Sequence, residues 1–415
     1  MNYDIAIIGA GPAGLAFARL LADSGLRIAL IDRQSRAQLA DPAVDGRDIA
    51  LTHQSREIMQ QLGAWQRIGE AQISDLNEAR VVDGDSPYVL DFDGRAAAGE
   101  PLGWLVANHL IRKALFEVVE PLDKVEPLDK VELITDAEVT ASRSNDAYAE
   151  VELADGRKIT ATLLIGADTR FSETRRRMGI AAEMNDFGRV AIVCRMQHAL
   201  PHENVAWECF HYGRTLAILP MPGDSSSIVI TVPARKAAQI MAMDEAAFNA
   251  DIERRFEHRL GAMQLLGERF SYPLVGVHAK RFVSNRFALI GDAAVGMHPV
   301  TAHGFNLGLS GAQMLAGQVR KAAQNGSDIG ADKVLLPYQS RHMLTTRPLY
   351  HGTNTVVGLF TNDSFPATAV RKAVMHLSNH IPPVKWAIRQ KLMAKRGLPG
   401  LPSLPRLPLP PGLGR

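Results

Sequence analysis

Tyr3-Asp-Ile-Ala-Ile-Ile8 running into Gly9-Ala-Gly-Pro-Ala-Gly14 is the stretch that decides the fold of this 415-residue chain. The apolar run reads as a short buried strand, Pro12 to Ser24 as the helix after it, and Arg27 to Asp32 as a second strand. In that setting each glycine has its own task. Gly9 permits the tight turn, Gly11 lets backbone approach a pyrophosphate, and Gly14 lets helix and strand pack closely. Pro12 and Ala13 open the helix whose N-terminus receives the phosphates. Asp32, with Arg33 beside it, ends the second strand where it can accept from a ribose hydroxyl. Strand, glycines, helix, strand and acid in this order mark a dinucleotide-binding unit and leave NAD and FAD both open.

Composition sets the outer limits. With 46% hydrophobic residues the chain can bury a large core and has room for two or three lobes. Lys and Arg total 46 against 44 Asp and Glu, a balance of +2 that makes no broad electrostatic demand for nucleic acid. The apolar start lacks a basic flank and carries Asp4, so it reads as strand, turn and helix rather than a signal peptide. A cytoplasmic chain is expected. Outside that segment no run of about 18 uncharged apolar residues suggests a membrane span. Cys194 and Cys209 lie in strand-like stretches with no CxxC partner or His cluster at ligand spacing. Buried thiols and no metal site are the expectation.

Further along, strands are expected at Arg80-Val-Val-Asp83, Tyr88 to Phe92, Val131 to Ile134, Tyr148 to Leu153 and through Val190 to Val232. Helices are expected over Asn108 to Val119, Asp244 to Arg259 and Leu307 to Ala322. Phe287-Ala-Leu-Ile290 is a buried strand leading into Gly291-Asp292, so the chain returns to the domain it left.

Gly9 to Gly14, Arg47 within Asp45-Gly-Arg-Asp-Ile-Ala-Leu51, Gly166-Ala-Asp168-Thr-Arg-Phe-Ser172-Glu-Thr-Arg175, and Gly291-Asp292 followed by His298-Pro299 together carry a resemblance. The chain is similar to the single-component flavoprotein aromatic hydroxylases over about Met1 to Tyr350. Within them it most resembles the ubiquinone-biosynthesis hydroxylases of the UbiM type, through Met297-His-Pro-Val-Thr-Ala-His-Gly-Phe-Asn-Leu-Gly308.

The resemblance implies an α/β fold: a Rossmann-like FAD-binding domain with a parallel sheet and helices on both faces, an inserted α+β substrate domain and a helical C-terminal region. The FAD-binding domain would take residues 1–72, 98–180 and 271–350, the substrate domain 73–97 and 181–270, the helical region 351–396 and a Pro/Leu-rich tail 397–415. Asp292 would accept from the ribityl hydroxyls, with Gly291 leaving room for the cofactor. Pro299, Gly304, Phe305 and Asn306 would line the flavin where the helix from Leu307 opens. Arg47 would reach the FAD pyrophosphate or adenosine, Asp168 the cofactor or pyridine nucleotide, and Asn108 the flavin side. His298 and His303 flank the expected flavin edge and are the candidates for proton transfer. Thr169 stands where many relatives have Gly, and Ala302-His303 where many have Gly-Gln. β-branched Thr tolerates left-handed backbone poorly.

The implied chemistry is reduction of FAD by NAD(P)H, reaction with O2 to a flavin C4a-hydroperoxide, and oxygen transfer to an aromatic ring. The implied substrate is a polyprenylated phenol or quinol of ubiquinone biosynthesis, foremost demethoxyubiquinol. A hydroxylase of a soluble aromatic compound and a non-hydroxylating flavin-binding component of a biosynthetic complex stay open beside it. A flavin halogenase is disfavoured, because Trp65, Trp104, Trp207 and Trp386 are isolated from one another. Near the C-terminus, Trp386, Ile388, Leu392 and Met393 alternate with Lys385, Arg389, Lys391, Lys395 and Arg396. This basic amphipathic pattern suits either a peripheral membrane surface or packing on the protein itself.

Glu120-Pro-Leu-Asp-Lys-Val125 repeats at once as Glu126 to Val131. Two copies of six residues build no solenoid, so the repeat reads as a local duplication in a helix-to-strand connection. Deleting Glu120 to Val125 leaves one intact copy and is expected to leave flavin loading and activity unchanged. A fall in the flavin-to-protein absorbance ratio of that deletion overturns this reading.

Overall fold

The computed structural model describes residues 2–84, 89–95, 99–123, 131–211, 214–298, 303–360 and 371. Five short parallel strands form its centre: β1 (Asn2–Ile8), β2 (Ile28–Ile31), β3 (Val131–Ile134), β4 (Lys158–Gly166) and β5 (Phe287–Leu289). They are ordered β5-β4-β1-β2-β3, every neighbouring pair parallel. Sheets covered on both faces need continuous apolar runs. Ile5-Ala-Ile7, Ile28-Ala-Leu-Ile31 and Phe287-Ala-Leu289 supply them, each residue essentially buried.

Three helices position the site. α1 (Pro12–Leu21) follows β1, α2 (His53–Leu62) follows the strand Asp48–Leu51, and α3 (Asn108–Val119) follows Gly103–Ala107. α1 ends three residues before the expected Ser24, because the Ser24 hydroxyl donates to the Leu21 carbonyl and Gly25 turns the chain at φ +78°. α4 (His303–Gln324) and α5 (Asp332–Phe360) close the described chain. α4 begins four residues before the expected Leu307, so Gly304, Phe305 and Asn306 belong to its first turn.

A second eight-stranded sheet is built around the long pair Ala182–His198 and Met263–Ala279. The strands Ser225–Pro233, Arg214–Met221, Val205–His211, Glu78–Asp83 and Val89–Asp93 extend it in that order. One face carries Ile192, Cys194, Cys209, Leu216, Ile228 and Ile230, which pack with Phe248 and Ile252 of the helix Glu245–Arg255. That helix starts at Asp244, which caps it by accepting from the Ala247 amide at 2.7 Å. It stops short of the expected Arg259 because Glu257 and His258 take positive φ. Cys194 and Cys209 are buried free thiols, and burial pushes both up to about 12. A three-stranded sheet of Asp48–Leu51, Gly103–Ala107 and Ser74–Leu76 lies against the other face, touching Arg214–Met221.

The first hexapeptide copy ties back to the core, Glu120 and Asp123 both pairing with Arg36. The second copy, through Lys130, and the basic C-terminal segment lie outside the described residues. Among the described residues no helix is long and apolar enough to cross a membrane, and no cluster of three or more His, Cys, Asp or Glu could hold a metal.

Candidate active site

The first glycine turn is shaped by backbone contact. Gly9 has φ +111°, and a Cβ there would sit 2.5 Å from the Ala167 carbonyl oxygen. A Cβ on Gly14 would overlap the Gly9 carbonyl, so α1 crosses β1 as closely as backbone allows. Gly11 has open space where its Cβ would be, in front of an α1 N-terminus that no side chain caps. Asp32 braces this turn. Its carboxylate accepts from the Ala10 amide at 2.6 Å and the Gln34 amide at 2.8 Å, while Arg33 beside it is exposed.

The downstream motif meets the first one directly. Gly291 has φ +62°, and a Cβ there would lie 2.8 Å from the Ala13 Cβ. A Cβ on Gly308 would lie 3.2 Å from the Gly291 Cα. Ala13 of α1, the Gly291 turn and Gly308 of α4 therefore touch through three small residues, which brings the starts of two helices to one place. Asn306 fixes the first turn of α4, accepting from the Thr52 amide at 3.1 Å and donating to the Ala50 carbonyl at 2.8 Å. Phe305 packs against the main core, and Gly304 faces open space.

Two arginines clamp this junction. Arg170 pairs with Asp292 at 3.0 Å and donates to the Val275 carbonyl at 3.1 Å. Arg175 is 2% exposed and donates to the Ala293 carbonyl at 2.8 Å and the Arg170 carbonyl at 3.2 Å. Asp168 accepts from the Thr174 hydroxyl at 3.0 Å through Oδ2. Its Oδ1 is buried without a hydrogen-bond partner among the described residues. Thr169 keeps a negative φ, so this backbone does not require the glycine of the relatives.

A third wall gathers Asp45, Arg47, Asn108 and Tyr272. Arg47 pairs with Asp45 at 2.6 Å, Asn108 donates to the same Asp45 oxygen at 2.7 Å, and the Tyr272 hydroxyl donates to the Asp45 carbonyl at 2.7 Å. Burial alone would raise the Asp45 carboxyl, but Arg47 and Asn108 hold it below the usual carboxylate range. Burial likewise works against the Arg47 cation, and Asp45 more than restores it.

The two histidine candidates differ in setting. His298 is 5% exposed with the Phe187 ring edge-on at 4.8 Å. Burial, then the cations Arg189 and Arg170, push its imidazole down to about 4. It is neutral at pH 7 and does not titrate there, contrary to the expectation from its ordinary range. His303 is the half-buried first residue of α4, and Pro299 lies outside the described residues.

The arrangement suits an extended anionic dinucleotide. An open glycine face at an uncapped helix N-terminus fits a diphosphate, and the buried Asp168 oxygen is an acceptor awaiting a donor. Sequence reading passed over Arg170, Arg175, Asp45 and Tyr272. The first two stand inside the quoted Gly166 to Arg175 motif, but there surface arginines and clamping arginines look alike. Only Arg175 lies in the short helix Glu173–Arg177, and Arg170 stands in the turn before it.

Comparison with known proteins agrees with this geometry. Residues 2–342 match the FAD binding domain family. The chain is 48% identical over 396 residues to ubiquinone hydroxylase UbiM of Neisseria meningitidis, covering 94% of this chain and 85% of that one. It is 28% identical to the 3-demethoxyubiquinol 3-hydroxylase of Escherichia coli, covering 89% of this chain and 92% of the other. The solved p-nitrophenol 4-monooxygenase PnpA of Pseudomonas putida superposes with a TM-score of 0.75 at 16% identity, over 96% of this chain and all of that one.

Gly291→Ala tests the junction. Left-handed backbone costs an alanine about 1–2 kcal/mol, before the contact with Ala13 is counted. FAD affinity is expected to fall by about tenfold or more, measured by flavin fluorescence titration of the apoprotein. Unchanged affinity would show that the junction does not shape the cofactor site.

Proposed function

The chain belongs to the FAD binding domain family and, within it, to the ubiquinone hydroxylases, and on that premise we propose that it hydroxylates the aromatic ring of a polyprenylated phenol or quinol. Demethoxyubiquinol is the leading candidate. The observation that carries the reading is the meeting of Ala13, Gly291 and Gly308, which joins both halves of a flavin site in a chain so similar to a ubiquinone hydroxylase.

FAD, when bound, supplies the redox chemistry, taking electrons from NAD(P)H and activating O2. The chain's own residues do the rest. Gly9 to Gly14 and the α1 N-terminus receive the diphosphate, and Arg47 keeps a cation near it. The N-terminus of α4 favours negative charge on the reduced cofactor by about 0.3–1 kcal/mol, rising to about 2 kcal/mol where partly buried. Residues 73–97 and 181–270 form the substrate lobe in this reading. The apolar sheet face of Val193, Val229 and Phe270 keeps water from the reacting ring. One dinucleotide fingerprint serves FAD, so NAD(P)H binds transiently or a partner protein delivers the electrons. The basic segment around Trp386 would rest on the inner face of the membrane, where a polyprenylated substrate resides, or on a biosynthetic complex.

The test is expression in a bacterial strain lacking its own ubiquinone hydroxylases, beside an Asp292→Ala control, with quinones identified by mass spectrometry. Restored ubiquinone, or a shift to a more oxygenated intermediate, is expected from the wild type and not from the control. An unchanged quinone profile with a stable, FAD-loaded protein would contradict the substrate class and favour a soluble aromatic substrate or a non-hydroxylating role.

A further inference from the structure

Asp45, Gly46 and Arg47 form a short loop that is held at every residue. The Asp45 carbonyl accepts from the Tyr272 hydroxyl at 2.7 Å. Gly46 takes φ +68°, and a Cβ there would overlap the Phe270 ring. The Arg47 carbonyl accepts from the amide of Asn108, the first residue of α3, at 2.9 Å. Phe270 and Tyr272 are two residues apart on the strand Met263–Ala279, so they share one face of the second sheet and grip the loop together.

One carboxylate oxygen organises the side chains of this loop. Asp45 Oδ2 accepts from Arg47 Nη2 at 2.6 Å, from Arg47 Nε at 3.1 Å and from Asn108 Nδ2 at 2.7 Å. Oδ1 accepts from the Arg47 amide at 3.1 Å. Two of the three guanidinium nitrogens are thus spent on a single atom, and Nη1 has no partner among the described residues. The guanidinium carbon lies over the Tyr272 ring, 5.5 Å from its centroid. The Asp45 side chain is 17% exposed and that of Arg47 47%, so the acid is covered while the cation stays open to a ligand.

An acid in the wall of an anionic cofactor's site calls for a reason, because its charge repels the ligand. An exposed Arg–Asp pair ordinarily has little consequence. Here the acid is covered and its Oδ2 takes three donors, while Arg47 is a long side chain whose freedom is lost whenever it meets a ligand. Fixing Nε and Nη2 in advance removes most of that cost and leaves Nη1 as the donor for an anionic oxygen. We propose that Asp45 is the positioning residue for Arg47, fixing the guanidinium so that Nη1 serves the FAD diphosphate, and that Tyr272 of the second sheet fixes Asp45 in turn.

The assignment rests on the reading above in which Arg47 keeps a cation near the diphosphate. Electrostatics agrees with that placement: burial works against the Arg47 cation, and Asp45, Tyr272 and Asp292 of the downstream motif all favour it. The sign of one substitution separates the proposed role from two simpler ones. Were Asp45 to act on the cofactor only through its charge, Asp45→Asn would tighten FAD binding. Were it only to shape the loop, the isosteric Asn would leave binding unchanged. As the tether of Arg47, it weakens binding when replaced, and only while Arg47 is present.

The experiment dilutes the full-length FAD-loaded protein and reads released FAD by its fluorescence, for wild type, Asp45→Asn, Arg47→Met and the double variant. It is run at about 0.5 M NaCl, where the screening length is under about 5 Å and the repulsion from Asp45 counts least. Arg47→Met is expected to weaken FAD binding about ten- to hundredfold, the range of a hydrogen bond between charged groups. Asp45→Asn is expected to weaken it about tenfold, and the double variant to be no weaker than Arg47→Met within about twofold. Tighter or unchanged binding in Asp45→Asn, or effects of the two substitutions that multiply, overturns the assignment. Should Asp45→Asn fail to load FAD, Arg47→Lys decides, since lysine keeps the charge and lacks the fork. It is expected to bind FAD as weakly as Arg47→Met within about threefold, and wild-type affinity in Arg47→Lys overturns the assignment, because charge without orientation then suffices. Wild-type affinity in Arg47→Met removes the placement of Arg47 at the diphosphate and the assignment with it, an outcome distinct from the others.

Discussion

The contact among Ala13, Gly291 and Gly308 is the constraint on which the rest of the site depends. Segments almost 280 residues apart in the chain approach until no side chain larger than a methyl fits between them. Such closeness brings two helix N-termini and the Gly291 turn together with little but backbone between them. Close approach alone would be loose, and the clamp from Arg170 and Arg175 onto Asp292, Val275 and Ala293 makes it rigid. These arginines hold the downstream motif to the second sheet and to the chain after β4. The Gly291 junction and the second sheet thus share one frame.

Burial acts in opposite directions on the two kinds of acid-base group in this molecule. Removing water disfavours charge, so an imidazole falls and a carboxyl rises. His298 is pushed to about 4 and Glu208 to about 8. The histidine that an unperturbed scale recommends near neutrality is taken out of that range. Around them the carboxylates of Asp45, Asp48 and Asp292 are held by arginines and serve as structural charge.

Much of the cofactor side was legible in the sequence, because it is carried by contiguous signals. Ile5 to Gly14 needs only local periodicity and glycine chemistry to be read, and the bounds of Asn108–Val119 agree with its apolar spacing. Helix ends were less legible. Ser24 and Gly25 cut α1 short through one hydroxyl bond and one positive φ, and α4 gains a turn at His303 that glycine-rich composition hides. The clamp of Arg170 and Arg175 was invisible, because Asp292, Val275 and Ala293 lie more than 100 residues away from them in the chain.

The proposed activity puts one atom of dioxygen into an aromatic ring. It is tested most directly by supplying purified FAD-loaded protein with NAD(P)H, a prenylated phenol and isotopically heavy O2, and weighing the product. The expected product carries one heavy oxygen per ring hydroxyl formed, with none drawn from water. NAD(P)H oxidised in full to hydrogen peroxide with the phenol recovered unchanged, or a new hydroxyl whose oxygen comes from water, would contradict it.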